Sequence, residues 1–118
     1  MKTITQADTS VIRSSLSKYS GVLIEKSRQP NDGMLISQNL RVSLFGNLVT
    51  SDKQLSNRIF FALQITDQDR TYTYLSGKYS FDEPVYAVQE KFRNGEYGDL
   101  VANLVHDAEE NPERFFVA

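Results

Sequence analysis

The chain contains no cysteine, one histidine and no long apolar run. Without cysteine there are no disulfides, no thiolate nucleophile and no cysteine-ligated zinc, and the composition fits any redox compartment. The longest uninterrupted apolar stretch is Ile59 to Leu63, far short of the ~20 residues that span a bilayer. The start, Met1-Lys2-Thr3-Ile4-Thr5-Gln6-Ala7-Asp8, has no apolar signal core, so the expected setting is cytoplasmic, with no membrane partner. Six glycines and three prolines are scattered as punctuation, with no repeat, low-complexity tract or linker among them.

Short chemical signatures are missing too. There is no Gly-x-Ser-x-Gly elbow, no Gly-Lys-Ser/Thr phosphate loop and no Asn-x-Ser/Thr sequon. Asp67 and Asp69 stand two apart, but the segment around them lacks the glycine and distal glutamate of a calcium loop. Gly95-Glu96-Tyr97-Gly98 is too short for a dinucleotide fingerprint and does not follow a strand. The one proton carrier that titrates near neutral pH is His106. On a helix it would lie beside Asp99, Asn103 and Glu110, away from the apolar stripe, where its charged form would pair with Glu110 one turn on. These absences predict a protein without cofactor or metal that is not an enzyme.

What is present describes an ordinary globular chain. Its 118 residues suit one domain, and the 40% apolar and 24% charged fractions are those of soluble proteins. At this length roughly two-thirds of the unfolded surface can be buried, enough for a core without staples. The net charge of −2 is unevenly spread. Residues 1–81 hold ten Lys or Arg against six Asp or Glu, and residues 82–118 hold three against nine. A basic sheet region and an acidic helical tail are expected.

Arg58 to Ser76 reads as a β-hairpin. Ile59, Phe61, Leu63 and Ile65 share one face at period two, Tyr72 and Tyr74 share a face of the return strand, and Asp67-Gln68-Asp69 supplies the turn. Before it, residues from about Gln6 to Tyr19 suit a helix, capped by Asp8, Thr9 or Ser10 and stopped at Gly21. Val22 to Lys26, Met34 to Gln38 and Leu40 to Val49 read as strands, with Gln29-Pro30-Asn31-Asp32-Gly33 a turn, Gly46-Asn47 a bulge or turn and Thr50 to Asn57 a polar connection.

After Asp82 the period changes. Val85, Val88 and Phe92 mark a helix that follows Pro84 and ends at Asn94-Gly95. Leu100, Val101, Leu104, Val105 and Ala108 form the best helical stripe in the chain, stopped by Asn111-Pro112. Arg114 to Val117 is a last short strand or docking tail. The expected fold is α+β: an N-terminal helix, an antiparallel sheet of four or five strands, and two C-terminal helices packed on it.

Apolar residues occur on both sides of the central strand, since Phe60 and Ala62 alternate with Phe61 and Leu63. Either helices cover both faces or one face meets a partner. The leading expectation is a non-enzymatic protein that binds another protein or a second copy of itself, as inhibitor, adaptor or chaperone. In size, layout and acidity the chain is similar to small bacterial chaperone and inhibitor proteins, including those carried on mobile elements. The candidate contacts are Tyr72, Tyr74, Phe115 and Phe116, with Asp107, Glu109 and Glu110 steering a partner by charge. The alternative is a nucleic-acid module, in which tyrosines of the sheet stack bases and Lys26, Arg28, Arg41, Arg58, Arg70 and Lys78 hold phosphates.

Overall fold

The chain opens with a helix longer than its sequence promised. In the computed structural model, which describes residues 4–46 and 58–117, helix α1 spans Gln6–Ser27. Its cap is Thr5, three positions before the first of the expected candidates. The Thr5 hydroxyl accepts from the Asp8 N–H at 3.2 Å and the Asp8 carboxylate accepts from the Thr5 N–H at 2.9 Å. This reciprocal pair satisfies two of the donors that a helix start leaves open.

The helix does not stop at Gly21, and Val22 to Lys26 is helical where a strand was expected. The buried stripe explains the correction: Ile12, Leu16, Leu23 and Ser27 recur at helical spacing and hold the segment against the core. Gly21 faces solvent, with no atom within 4 Å of where a Cβ would stand. Its intrinsic cost of ~1 kcal/mol is small beside the burial of Leu23.

The turn over residues 29–33 leads into strand β1 (Leu35–Ser37), and β2 (Leu40–Phe45) returns after Gln38-Asn39. The expected strand at Met34–Gln38 is therefore present but shorter, and that at Leu40–Val49 is present from Leu40 to Phe45. Asn47 to Val49 and Thr50 to Asn57 lie outside the described residues. Strand β3 (Ile59–Asp67) and β4 (Arg70–Tyr74) form the expected hairpin, tighter by one residue because Asp67 pairs with Arg70 and leaves Gln68-Asp69 as the loop. A 3₁₀ turn at Gly77–Tyr79 precedes β5 (Ser80–Phe81), which pairs with the start of β3. Strand β6 (Phe116–Val117), the C-terminal strand that had been one of two expectations, pairs with β4. The sheet is antiparallel, in the order β1-β2-β3-β4-β6, with β5 off this path.

Helices α2 (Val85–Arg93) and α3 (Gly98–Glu110) follow β5. Their connection passes so close to α1 that a Cβ at Gly95, whose φ is +77°, would lie 2.8 Å from the Gln29 carbonyl carbon. Only glycine fits there, for both reasons. The buried side chains of all three helices join those of Leu40, Val42, Ile59, Phe61, Leu63, Ile65, Tyr72 and Tyr74 in one core. Phe61 is its aromatic centre, with ring centroids of Phe92, Tyr97 and Phe81 at 5.0–5.4 Å. The expected α2 stripe holds at Val88 and Phe92 but not at Val85, which is half exposed.

The three helices therefore lie on one sheet face. The other face carries a polar ladder: Arg41 Nε and the Ser43 hydroxyl both donate to Gln64 Oε1, whose amide donates to Thr73 Oγ1 at 3.3 Å. Phe60 and Ala62 stand beside it and are buried. Among the described residues no helix is long and apolar enough to cross a membrane.

Candidate functional site

Three of the four aromatic residues expected to meet a partner are core side chains. Tyr72 is 2% exposed, Tyr74 1% and Phe115 3%. The tyrosines lie opposite Ile65 and Leu63 on the helix-covered face, which the hairpin pattern alone could not distinguish from the other. Tyr74 packs on Phe115 with ring centroids 5.3 Å apart. Phe116 lies on the opposite face beside Thr73 and is partly buried.

Tyr72 has a structural task. Its hydroxyl donates to Asp8 Oδ1 at 2.6 Å, and Arg70 Nη1 donates to the same oxygen at 2.8 Å. The hydroxyl of Tyr72, then the Thr5 N–H, hold the Asp8 carboxyl down to a pKa of about 2. Burial, then the hydrogen bond to Asp8, push the Tyr72 hydroxyl up. This knot fastens the start of α1 to the tip of the β3–β4 hairpin.

The acidic residues are separate from one another in role. Asp107 accepts from the Tyr79 hydroxyl and lies 3.8 Å from Lys78. Glu110 pairs with the exposed His106 at 3.3 Å, one turn away as expected, and Glu109 is exposed. The six cations of the nucleic-acid alternative are dispersed, each with a protein partner. Lys26 donates to the Ile36 carbonyl and Arg28 approaches Asp99, both from the end of α1 and not from strands. Arg41 meets Gln64, Arg58 meets Ser80, Arg70 meets Asp8 and Lys78 meets Asp107. Arg58 and Arg70 stand at opposite ends of β3, ~30 Å apart at strand rise.

A different set of residues forms a concave site. Asn31 draws the chain after α1 onto the end of α2: its N–H donates to the Arg93 carbonyl at 2.7 Å and its side-chain amide to the Phe92 carbonyl at 3.2 Å. Gly33, at φ +91°, then turns the chain beside the Arg93 side chain. Asp32 accepts from the Met34 N–H at 3.0 Å and fixes that turn. As a result β1 begins only at Leu35, opposite Val42, while β2 runs on through Ser43, Leu44 and Phe45.

The space left is a groove of about 470 Å³. Met34, Ile36, Leu44 and Phe92 give it apolar walls, and Arg41 and Arg93 stand on its two sides.

The register shows which backbone groups face this groove. The Asn39 carbonyl accepts from the Thr66 N–H, so the polar groups of Asn39 point toward β3. Antiparallel alternation then points those of Arg41 and Ser43 the same way, and those of Leu40, Val42 and Leu44 toward β1. Ser37 and Leu35 answer Leu40 and Val42. Among the described residues no strand lies opposite Leu44.

Two exposed apolar side chains, Met34 and Ile36, line the groove. Met34 is 61% and Ile36 41% exposed, and Tyr86, at 72%, lies one turn before Gln89, which lines the groove. Val85 shares that end of α2. Val22 lies one turn before Lys26, whose ammonium group sits 2.7 Å from the Ile36 carbonyl. Sequence reasoning missed this site. The Asn31-Asp32-Gly33 turn marks a bend in the sequence but does not disclose a groove beside it. Among the described residues, no group of three or more His, Cys, Asp or Glu is placed to hold a metal ion. Comparison with protein-family models, curated proteins and solved structures returns no match.

Proposed function

We propose that this chain acts by binding another protein, and that the groove between β2 and α2 is where it does so. The observation that carries the reading is that the exposed Met34 and Ile36 line one concavity with Leu44 and Phe92, while the exposed Tyr86 lies one turn ahead of its lining residue Gln89. Exposed apolar side chains that cluster mark interaction sites, whereas single ones scattered over a surface mean nothing. Tyr and Met are also enriched where proteins meet. The mode of action is occlusion or adaptation, as an inhibitor, adaptor or chaperone in the cytoplasm, with no cofactor. A second copy of the chain is one form the partner takes.

This reading is preferred to nucleic-acid binding because the six candidate cations are bonded within the fold and spread along it, while the apolar groups converge. The test is affinity purification of the tagged protein from its host cell, beside a Met34→Asp/Tyr86→Asp variant that melts at the same temperature. A stoichiometric partner held by the first and lost by the second supports the reading. Light scattering over a range of concentrations identifies the case in which that partner is another copy. Recovery of no partner, with a monodisperse monomer, or equal recovery by both proteins, sinks it.

A further inference from the structure

Resting on that protein-binding reading, we infer that the groove takes an extended, acidic segment of its partner, which adds to the sheet as a strand beside Leu44. Three features specify this occupant. The first is a backbone template. Leu44 turns its N–H and C=O toward the position that β1 vacates, and a strand placed there continues the β1 row. Strand addition satisfies such groups with main-chain hydrogen bonds and leaves specificity to alternate side chains.

The second feature is that the rest of this edge is already closed. Within β1 the outward carbonyl is that of Ile36, and Lys26 donates to it at 2.7 Å. A cation on an edge strand is a common guard against unwanted pairing. The open position is therefore confined to the end of β2, which limits the added strand to a few residues.

The third feature is charge. Arg41 lies on the sheet face away from the helices, and Arg93 comes from the helix side, so the groove is flanked by a guanidinium on each face. Among the described residues neither has a carboxylate partner; Arg41 spends only its Nε, on Gln64. Among the described residues Asp32 is the one acid lining the groove, and its carboxylate already accepts from the Met34 N–H. Side chains of an added strand alternate between the two faces, so acids at either parity meet an arginine, and apolar residues between them meet Met34, Ile36 or Phe92.

The test uses a displayed library of random twelve-residue peptides panned against the whole protein, followed by synthesis of the enriched sequences. The expected peptides alternate apolar with Asp or Glu residues, slow hydrogen exchange of the Leu44 amide, and lose affinity when N-methylated at the pairing position. Changing their acids to Lys is expected to weaken binding to the unaltered protein by ~10-fold or more, and Arg93→Glu to relieve part of that loss. Peptides that bind and are weakened by Met34→Asp/Tyr86→Asp, but are neutral or basic, or leave Leu44 exchange unchanged, overturn this inference while leaving the protein-binding reading standing. Enriched peptides indifferent to the groove substitutions, or no enrichment at all, overturn both.

Discussion

The two ends of the sheet are finished in opposite ways. At the end holding the Gln38-Asn39 and Gln68-Asp69 turns, the polar groups are locked together: Asp8 receives bonds from Thr5, Arg70 and Tyr72 while almost wholly buried. At the other end, between β1 and α2, a strand outlasts its neighbour and half-exposed apolar side chains surround the gap. A sealed end contributes to stability, and the gap is the surface proposed for binding. Placing them on one sheet lets the fold hold its shape while leaving one corner unfinished.

Substitutions can break this contrast. The largest effect is expected at Phe61, which lies opposite Leu44 and anchors the aromatic centre beneath the groove. Phe61→Ala should cost about 3–5 kcal/mol, from lost burial and the cavity left behind, measured by urea denaturation. At the sealed end, Tyr72→Phe removes a hydrogen bond to a charged, buried carboxylate and should cost about 1.5–3 kcal/mol in the same measurement. Acid should reach that end selectively. The Asp8 carboxyl is held below its ordinary value of 3.8, at about 2, so its contribution is complete above the unfolded value and is lost as pH falls toward and through the folded one. Asp8→Asn should flatten the stability curve in that window, and an unchanged acid limb would remove the carboxylate from the account.

Smaller effects sharpen the comparison. Gly21→Ala, in the middle of α1 with open space around it, should raise stability by about 0.5–1 kcal/mol. At the open end, Met34→Asp/Tyr86→Asp should change stability by no more than about 0.5 kcal/mol per site, as for surface positions free of packing. A large loss there would mean that these residues support the core and are not spare.

The fold class was legible because period-two and period-3.6 stretches are long in β3, β4 and α3. The α1 boundary was not legible locally. Gly21-Val22-Leu23-Ile24 reads as a turn and a strand when taken alone, and only the recurrence of Leu23 in register with Ile12 and Leu16 marks it as helix. The burial of Tyr72 and Tyr74 was hidden for a related reason. Alternation gives two faces of a hairpin but does not say which one the helices cover, so Tyr72 and Tyr74 read equally well as surface or core. The groove lay beyond sequence reasoning altogether. It arises from a difference in length between paired strands and from Asn31 holding the chain onto α2, and neither is a property of any local pattern.

The ammonium group that Lys26 lays on the Ile36 carbonyl has a consequence for how copies of this molecule tolerate crowding. Filament growth by lateral stacking along that border would require expelling a cation and stranding it against an approaching backbone. Replacing Lys26 with Leu should accordingly leave the isolated fold intact yet make concentrated solutions turn cloudy on standing, an outcome that would give a residue with no place in the core control over dispersal.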